Sequence, residues 1–208
     1  TSGLYGFNWD INWEAIDMFA IRNVYPLSGF RILIAAYSEA LKLDKPIDPS
    51  EFVLRYASER FGFNKTESEK FREALFSSTD VIRPGNNADL EKLGEIRNNI
   101  ATACEQMSLL KPKTNRKEFE HLRLMLDLRK FYLDFKTIEA TYESESFTRE
   151  NKDKILPGLQ SLLARSKKLD QRFSMLNKGF LHPTEIDEQN RIRSQKLKNI
   201  IAALADNR

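Results

Sequence analysis

A spacing governs what this chain can become. From Leu93 onward, apolar residues recur at steps of three and four with hardly a break. The first run is Leu93, Ile96, Ile100, Ala103, Met107 and Leu110; the next is Leu124, Leu128, Phe131, Phe135, Ile138 and Tyr142. Such a rhythm lays one apolar stripe along a helix and is incompatible with a strand, whose side chains alternate with a period of two. A third run follows at Ile155, Leu159, Leu162, Leu169, Phe173 and Leu176, with a kink or restart expected at Pro157-Gly158. A fourth is marked by Ile186, Arg193, Leu197, Ile200 and Leu204. Lys111-Pro112-Lys113 closes the first helix, and Gly179 and Pro183 stop the third. Four long helices with short connections read as an antiparallel, up-and-down bundle over residues 87 to 205. Its shared core should hold Leu93, Ile100, Met107, Leu128, Phe131, Phe135, Leu162 and Leu197. The second helix carries an extra strip (Phe119, Leu122, Met125, Leu126, Tyr132, Leu133), so it should meet neighbours on two sides.

Upstream of Arg83-Pro84-Gly85-Asn86-Asn87 the punctuation is denser and the elements shorter. Residues 1–82 therefore read as one unit and 83–208 as another. Leu4-Tyr5-Gly6-Phe7-Asn8-Trp9 is the one plausible strand, and a lone strand leaves both backbone edges unpaired. With Thr1 at its head, this segment leads to the expectation of a piece of a larger protein. Ile16, Phe19 and Ala20 begin helical spacing, which Pro26 breaks. The stretch from Phe30 to Leu43, with Ser28 as N-cap, is apolar nearly all round, the pattern of a helix buried on most sides. Asp48-Pro49 is an N-cap followed by proline at the first helical position, and Gly62 ends that helix. A capping box at Thr66-Glu67-Ser68-Glu69 opens a further short helix to about Phe76.

Composition excludes several classes. Lys+Arg 33 against Asp+Glu 30 leaves a formal charge of only +3, with both signs interspersed along the helices. A nucleic-acid binder concentrates its cations on one stripe, and this chain does not. No stretch approaches the ~20 apolar residues of a membrane span, and the opening residues do not read as a signal peptide. Cys104 stands alone, so neither an intrachain disulfide nor a cysteine metal cluster can form.

Catalytic signatures are missing from the sequence. It has no phosphate-binding glycine loop, no serine nucleophile elbow and no His-Glu-x-x-His, so no catalytic residue, metal ligand set or cofactor is assigned. His121 and His182, the two histidines, read as surface or capping residues because neither has companion ligands at metal spacing. Glu118 and His121 stand at i, i+3, but one copy of that spacing falls short of the paired motif of di-iron bundles. Trp9, Asp10, Asn12, Trp13 and Glu14 form the one chemically distinctive segment, holding both tryptophans of the chain. Aromatic faces stack on the C–H faces of sugar rings, while carboxylates and amides bond their hydroxyls, so these five are the candidate substrate-binding residues. The competing reading is a tryptophan anchor where a strand enters a helix.

Three runs carry a resemblance: Gly6-Phe7-Asn8-Trp9, Phe19-Ala20-Ile21-Arg22-Asn23-Val24-Tyr25-Pro26, and Arg55-Tyr56-Ala57-Ser58-Glu59-Arg60-Phe61-Gly62. The arrangement from Gly3 to Asn64 resembles the end of the catalytic barrel in bacterial glycoside hydrolases, particularly family 20 β-N-acetylhexosaminidases and their relatives. The resemblance implies a mainly α chain in which a barrel-end strand and short helices precede a helical C-terminal region. It further implies a carbohydrate ligand, an upstream barrel domain as partner, and a periplasmic or secreted location. The acidic pair of that family is an Asp-Glu dipeptide on an earlier barrel strand and has no counterpart here. On this reading the chain alone lacks a complete active site, since most such enzymes need two carboxylates flanking the bond. The alternative is a free-standing, non-catalytic helical interaction module that offers a groove to a partner helix.

Overall fold

The computed structural model describes residues 31–42, 46–77, 90–142 and 149–206. They form seven helices: α1 Arg31–Ala40, α2 Pro49–Phe61, α3 Lys65–Phe76, α4 Leu90–Leu109, α5 Arg116–Tyr142, α6 Arg149–Asn177 and α7 Pro183–Asp206. Their only β-type pairing is an isolated bridge between Lys178 and Leu181. No described helix is long and apolar enough to cross a membrane. The expected strand at residues 4–9 and the expected boundary at 82/83 lie outside the described residues.

The long helices run antiparallel, as their cross-helix partners demonstrate. Arg97 on α4 pairs with Asp134 on α5, whereas Cys104, later on α4, is influenced by Asp127, earlier on α5. Asp134 and Asp127 in turn meet Arg165 and Arg172 on α6, the numbers again rising on one helix as they fall on the other. Asp170 and Ser174 on α6 reach Arg193 and Asn190 on α7 in the same sense. Glu139 on α5 also pairs with Lys196, so α7 closes back on α5.

α5 is the central helix. Its two apolar strips feed three clusters: Phe119 and Leu122 in one, Leu124 and Leu128 in a second, Phe131, Tyr132, Leu133 and Phe135 in a third. All eight residues expected in the bundle core are buried. Six share the cluster formed by α4, α5, α6 and α7; Met107 joins the cluster with α2 and α3, and Leu128 packs with Phe173, Leu176 and Ile186. One continuous core was expected, but α5 is 27 residues long, and its successive turns face different neighbours. Around this core, Asp134 receives Lys130, Arg165 and Arg97. Burial alone would raise the Asp134 carboxyl, but Lys130 and Arg165 outweigh it and hold it below the usual aspartate value.

Two local expectations are corrected and a third is narrowed. Of the kink or restart expected at Pro157-Gly158 the restart is absent, since α6 continues through Pro157 as one helix; there Gly158 lets the backbone approach α5, because a Cβ would stand 3.1 Å from Ile138 Cδ1. The capping box of α3 begins two residues earlier than its Thr-Glu pattern indicates. Asn64 is the N-cap: its side chain accepts from the Glu67 N–H at 2.9 Å, and the Glu67 carboxylate accepts the Asn64 N–H at 2.9 Å. Finally, α1 has no fully buried residue. Ile32, Ala35 and Ala36 rest on the α2 cluster, while Leu33 and Ile34 stay about half exposed (51% and 55%). All-round apolarity records what a helix could bury, not what is there to bury it.

Candidate functional site

The site forms where α2 leans on the first turn of α5. Asp48 starts α2 as expected, accepting the Glu51 N–H at 2.9 Å, with Pro49 behind it. Gly62 ends α2 in the left-handed region (φ 70°) and donates to the Ser58 carbonyl. Any Cβ at Gly62 would also meet Lys113 Cβ at 3.1 Å. That proximity belongs to a clasp by the α4–α5 connection. The Lys113 N–H donates to the Phe61 carbonyl at 2.8 Å, while Thr114 Oγ1 and Asn115 Nδ2 donate to the Arg60 carbonyl at 2.8 and 2.7 Å. The last carbonyls of α2 are thereby satisfied by remote sequence. Below the clasp, Phe61, Phe63, Phe71 and Phe119 pack ring to ring at centroid distances of 5.4 to 6.3 Å.

This clasp sets Glu118, buried in the first turn of α5, against one face of α2. Tyr56 and Arg60, four residues apart on that face, both converge on it. Arg60 donates through Nε and Nη2 to Oε2 at 3.0 and 2.8 Å, and the Tyr56 hydroxyl donates to Oε1. Burial, reinforced by the bond to Glu118, pushes the Tyr56 phenol far above its ordinary value, so it stays protonated and serves as a donor rather than a base. The bond to Glu118 also raises the Arg60 guanidinium, which remains a fixed cation. Together the three groups form a charge-neutralised, partly buried tie between α2 and α5.

A cleft of about 630 Å³ opens beside the tie. α1 lines it with Arg31, Ile34, Ala35 and Ser38, α2 with Tyr56 and Arg60, and the α6–α7 connection with Phe180. An adjoining hollow of about 380 Å³ adds Glu39, Phe52, Arg55 and Glu59. There Arg55 pairs with Glu39 and lies 5.9 Å from the Phe52 ring centroid. The described lining residues offer cations, hydroxyls and aromatic faces.

The two histidines part company. His182 is exposed and caps α7, with Nδ1 2.7 Å from Thr184 Oγ1. His121 is corrected: instead of lying at the surface it is fully buried, and neither ring nitrogen has a hydrogen-bond partner. Its ring packs edge-to-face with Phe180 at 6.1 Å between centroids. No cluster of three or more potential metal-ligating residues exists among the described residues. Burial, then Asp127, pushes the Cys104 thiol up to about 12, which makes it unreactive.

Trp9, Asp10, Asn12, Trp13 and Glu14 lie outside the described residues. Sequence reasoning missed Tyr56, Arg60, Glu118, His121 and Phe180 as a neighbourhood. Its faint signals were the i, i+4 spacing of Tyr56 and Arg60 and the acid in the first turn of α5. No protein-family model matches the chain, and no curated protein or solved structure matches it either.

Proposed function

We propose that this chain is the C-terminal helical part of a carbohydrate-active hydrolase of the β-N-acetylhexosaminidase-like kind, serving as the non-catalytic support of an upstream barrel. The observation that carries the reading is α1. It lies within the stretch that resembles a barrel end, it is apolar nearly all round, and among the described residues α2 covers one of its faces while Leu33 and Ile34 stay exposed. A barrel packed on the remaining face would remove Leu33 and Ile34 from water. The tie among Tyr56, Arg60 and Glu118 would then hold α2 rigidly beneath that contact, and Trp9, Asp10, Asn12, Trp13 and Glu14 would flank the sugar.

A single comparison tests this. The longer reading frame and the isolated chain are assayed on a chromogenic N-acetylglucosaminide. Turnover is expected from the longer protein and none from the chain alone. In the longer protein, Trp9→Ala and Asp10→Asn should lower kcat/KM at least ~10-fold, the loss of about 1.4 kcal/mol of transition-state stabilisation, without shifting Tm. A reading frame that encodes no barrel, or variants that lose stability with normal kinetics, would overturn the proposal. The cleft beside Phe180 favours a second reading, a free-standing helical interaction module, which a barrel-less reading frame would leave standing.

A further inference from the structure

One aromatic ring joins two features that the proposed function leaves unused. Phe180 sits in the short connection between α6 and α7, where Gly179 adopts φ 86° and the Phe180 and Leu181 N–H groups both donate to the Asn177 carbonyl at 2.9 and 3.1 Å. One side of the ring lines the cleft beside Tyr56 and Arg60. The ring packs edge-to-face with His121, and Lys117 Nζ lies 4.4 Å from its centroid. His121 has no exposed surface, and neither nitrogen makes a well-formed hydrogen bond, so the neutral imidazole fills this place much as an apolar ring would.

We propose that His121 is an acid-sensitive latch that holds the α6–α7 connection against α5 and, through Phe180, governs the opening of the cleft. A neutral ring can tolerate one unpartnered donor and one unpartnered acceptor. An imidazolium brings a charge and two donors, which a dry site cannot accommodate without admitting water. Charged groups reach the ring from both helices packed on it. Burial is the largest influence and Lys117 on α5 the next, and both disfavour protonation. The Leu176 carbonyl and Glu118 act against them more weakly, and Arg172 on α6 adds to the lowering. From the α6–α7 connection the ring meets an aromatic edge rather than a carboxylate. The least costly way to hydrate it is outward movement of that connection, which is short, glycine-hinged and already half-exposed at Phe180.

The direction with pH follows from linkage. With the folded value below the ordinary one, the opened or unfolded form takes the proton first. Closure is therefore fully favoured above about pH 6.5 and weakens as pH falls from there towards the depressed folded value. The test uses the whole chain. Histidine ring resonances are titrated by NMR, with His182→Gln identifying the His121 signal, and amide exchange is followed at about pH 7.5 and 5.5. The expected result is a His121 titration below the ordinary value. Protection at Phe180 and Leu181, corrected for intrinsic rates, should fall about tenfold per pH unit within the window while α4 is unaffected. His121→Leu should abolish that dependence; if it does not fold, the wild-type measurements decide alone. Titration at or above the ordinary value, unchanged protection while the ring protonates, or loss of protection throughout the bundle would each overturn the latch.

Discussion

The two ends of this molecule are stabilised differently. Where α4, α5, α6 and α7 lie together, the core is mostly aliphatic, the charges sit around its rim, and four helices close on one another. Where α2 and α3 meet the start of α5, the core is a cluster of phenylalanine rings, a carboxylate is buried within the contact, and α1 leaves apolar surface uncovered. The first end could lose its neighbours and still be a bundle. The second has more apolar surface than partners among the described residues, and its buried polar contacts fix one geometry rather than supply bulk stability. Under the proposed function, recognition would fall at that second end.

Five substitutions probe this contrast. Phe131→Ala, at the fully buried heart of the aliphatic end, should cost ~3–5 kcal/mol by urea denaturation, from lost transfer energy and the cavity left behind. A cost below 1 kcal/mol would mean that the four-helix core is not what holds this end. Glu118→Gln should cost less, ~1–3 kcal/mol, because Arg60 still reaches solvent when its partner is neutralised. It should also loosen α2 selectively in amide exchange; uniform loosening would show that the two ends are not separable. Gly94→Ala should stabilise by ~0.5–1 kcal/mol, since a Cβ there meets nothing, whereas Gly158→Ala should lose that gain against Ile138. Equal gains would deny the close approach of α6 and α5. Ile34→Ser on α1 should change stability of this chain by less than ~0.5 kcal/mol while raising solubility. A larger cost would mean that α1 is already covered.

The three-four spacing made the long helices and their buried faces legible, because a helix's own period decides which residues can share a face. The same rule misjudged α1, whose exposure depends on the neighbours available to it. The cap of α3 moved from Thr66 to Asn64 because the chain turns directly after Gly62 and Phe63, placing Asn64 in the extended conformation an N-cap needs (φ −73°, ψ 177°). The tie at Glu118 was not legible. Tyr56 and Arg60 stand 62 and 58 residues before it, so no local pattern joins them. His121 looked ordinary for a similar reason: the ring that seals it, Phe180, arrives from the far end of α6. The five candidate sugar-binding residues remain a reading of composition and resemblance.

The clasp at the end of α2 bears on the order in which the chain can assemble. Arg60's carbonyl takes its hydrogen bonds from Thr114 and Asn115, 54 and 55 residues further on. Those donors occupy their places only after the chain has reversed between α4 and α5, with Asn115 at φ 51°. The hairpin of α4 and α5 is a local event that closes a short loop, whereas docking α2 closes a long one and gains nothing until its partners are present. The last turn of α2, and with it Arg60, should therefore consolidate late. Substitutions that disfavour the positive φ of Asn115, and so the chain reversal itself, should slow folding, whereas removing only the Thr114 hydroxyl (Thr114→Val) should chiefly speed unfolding.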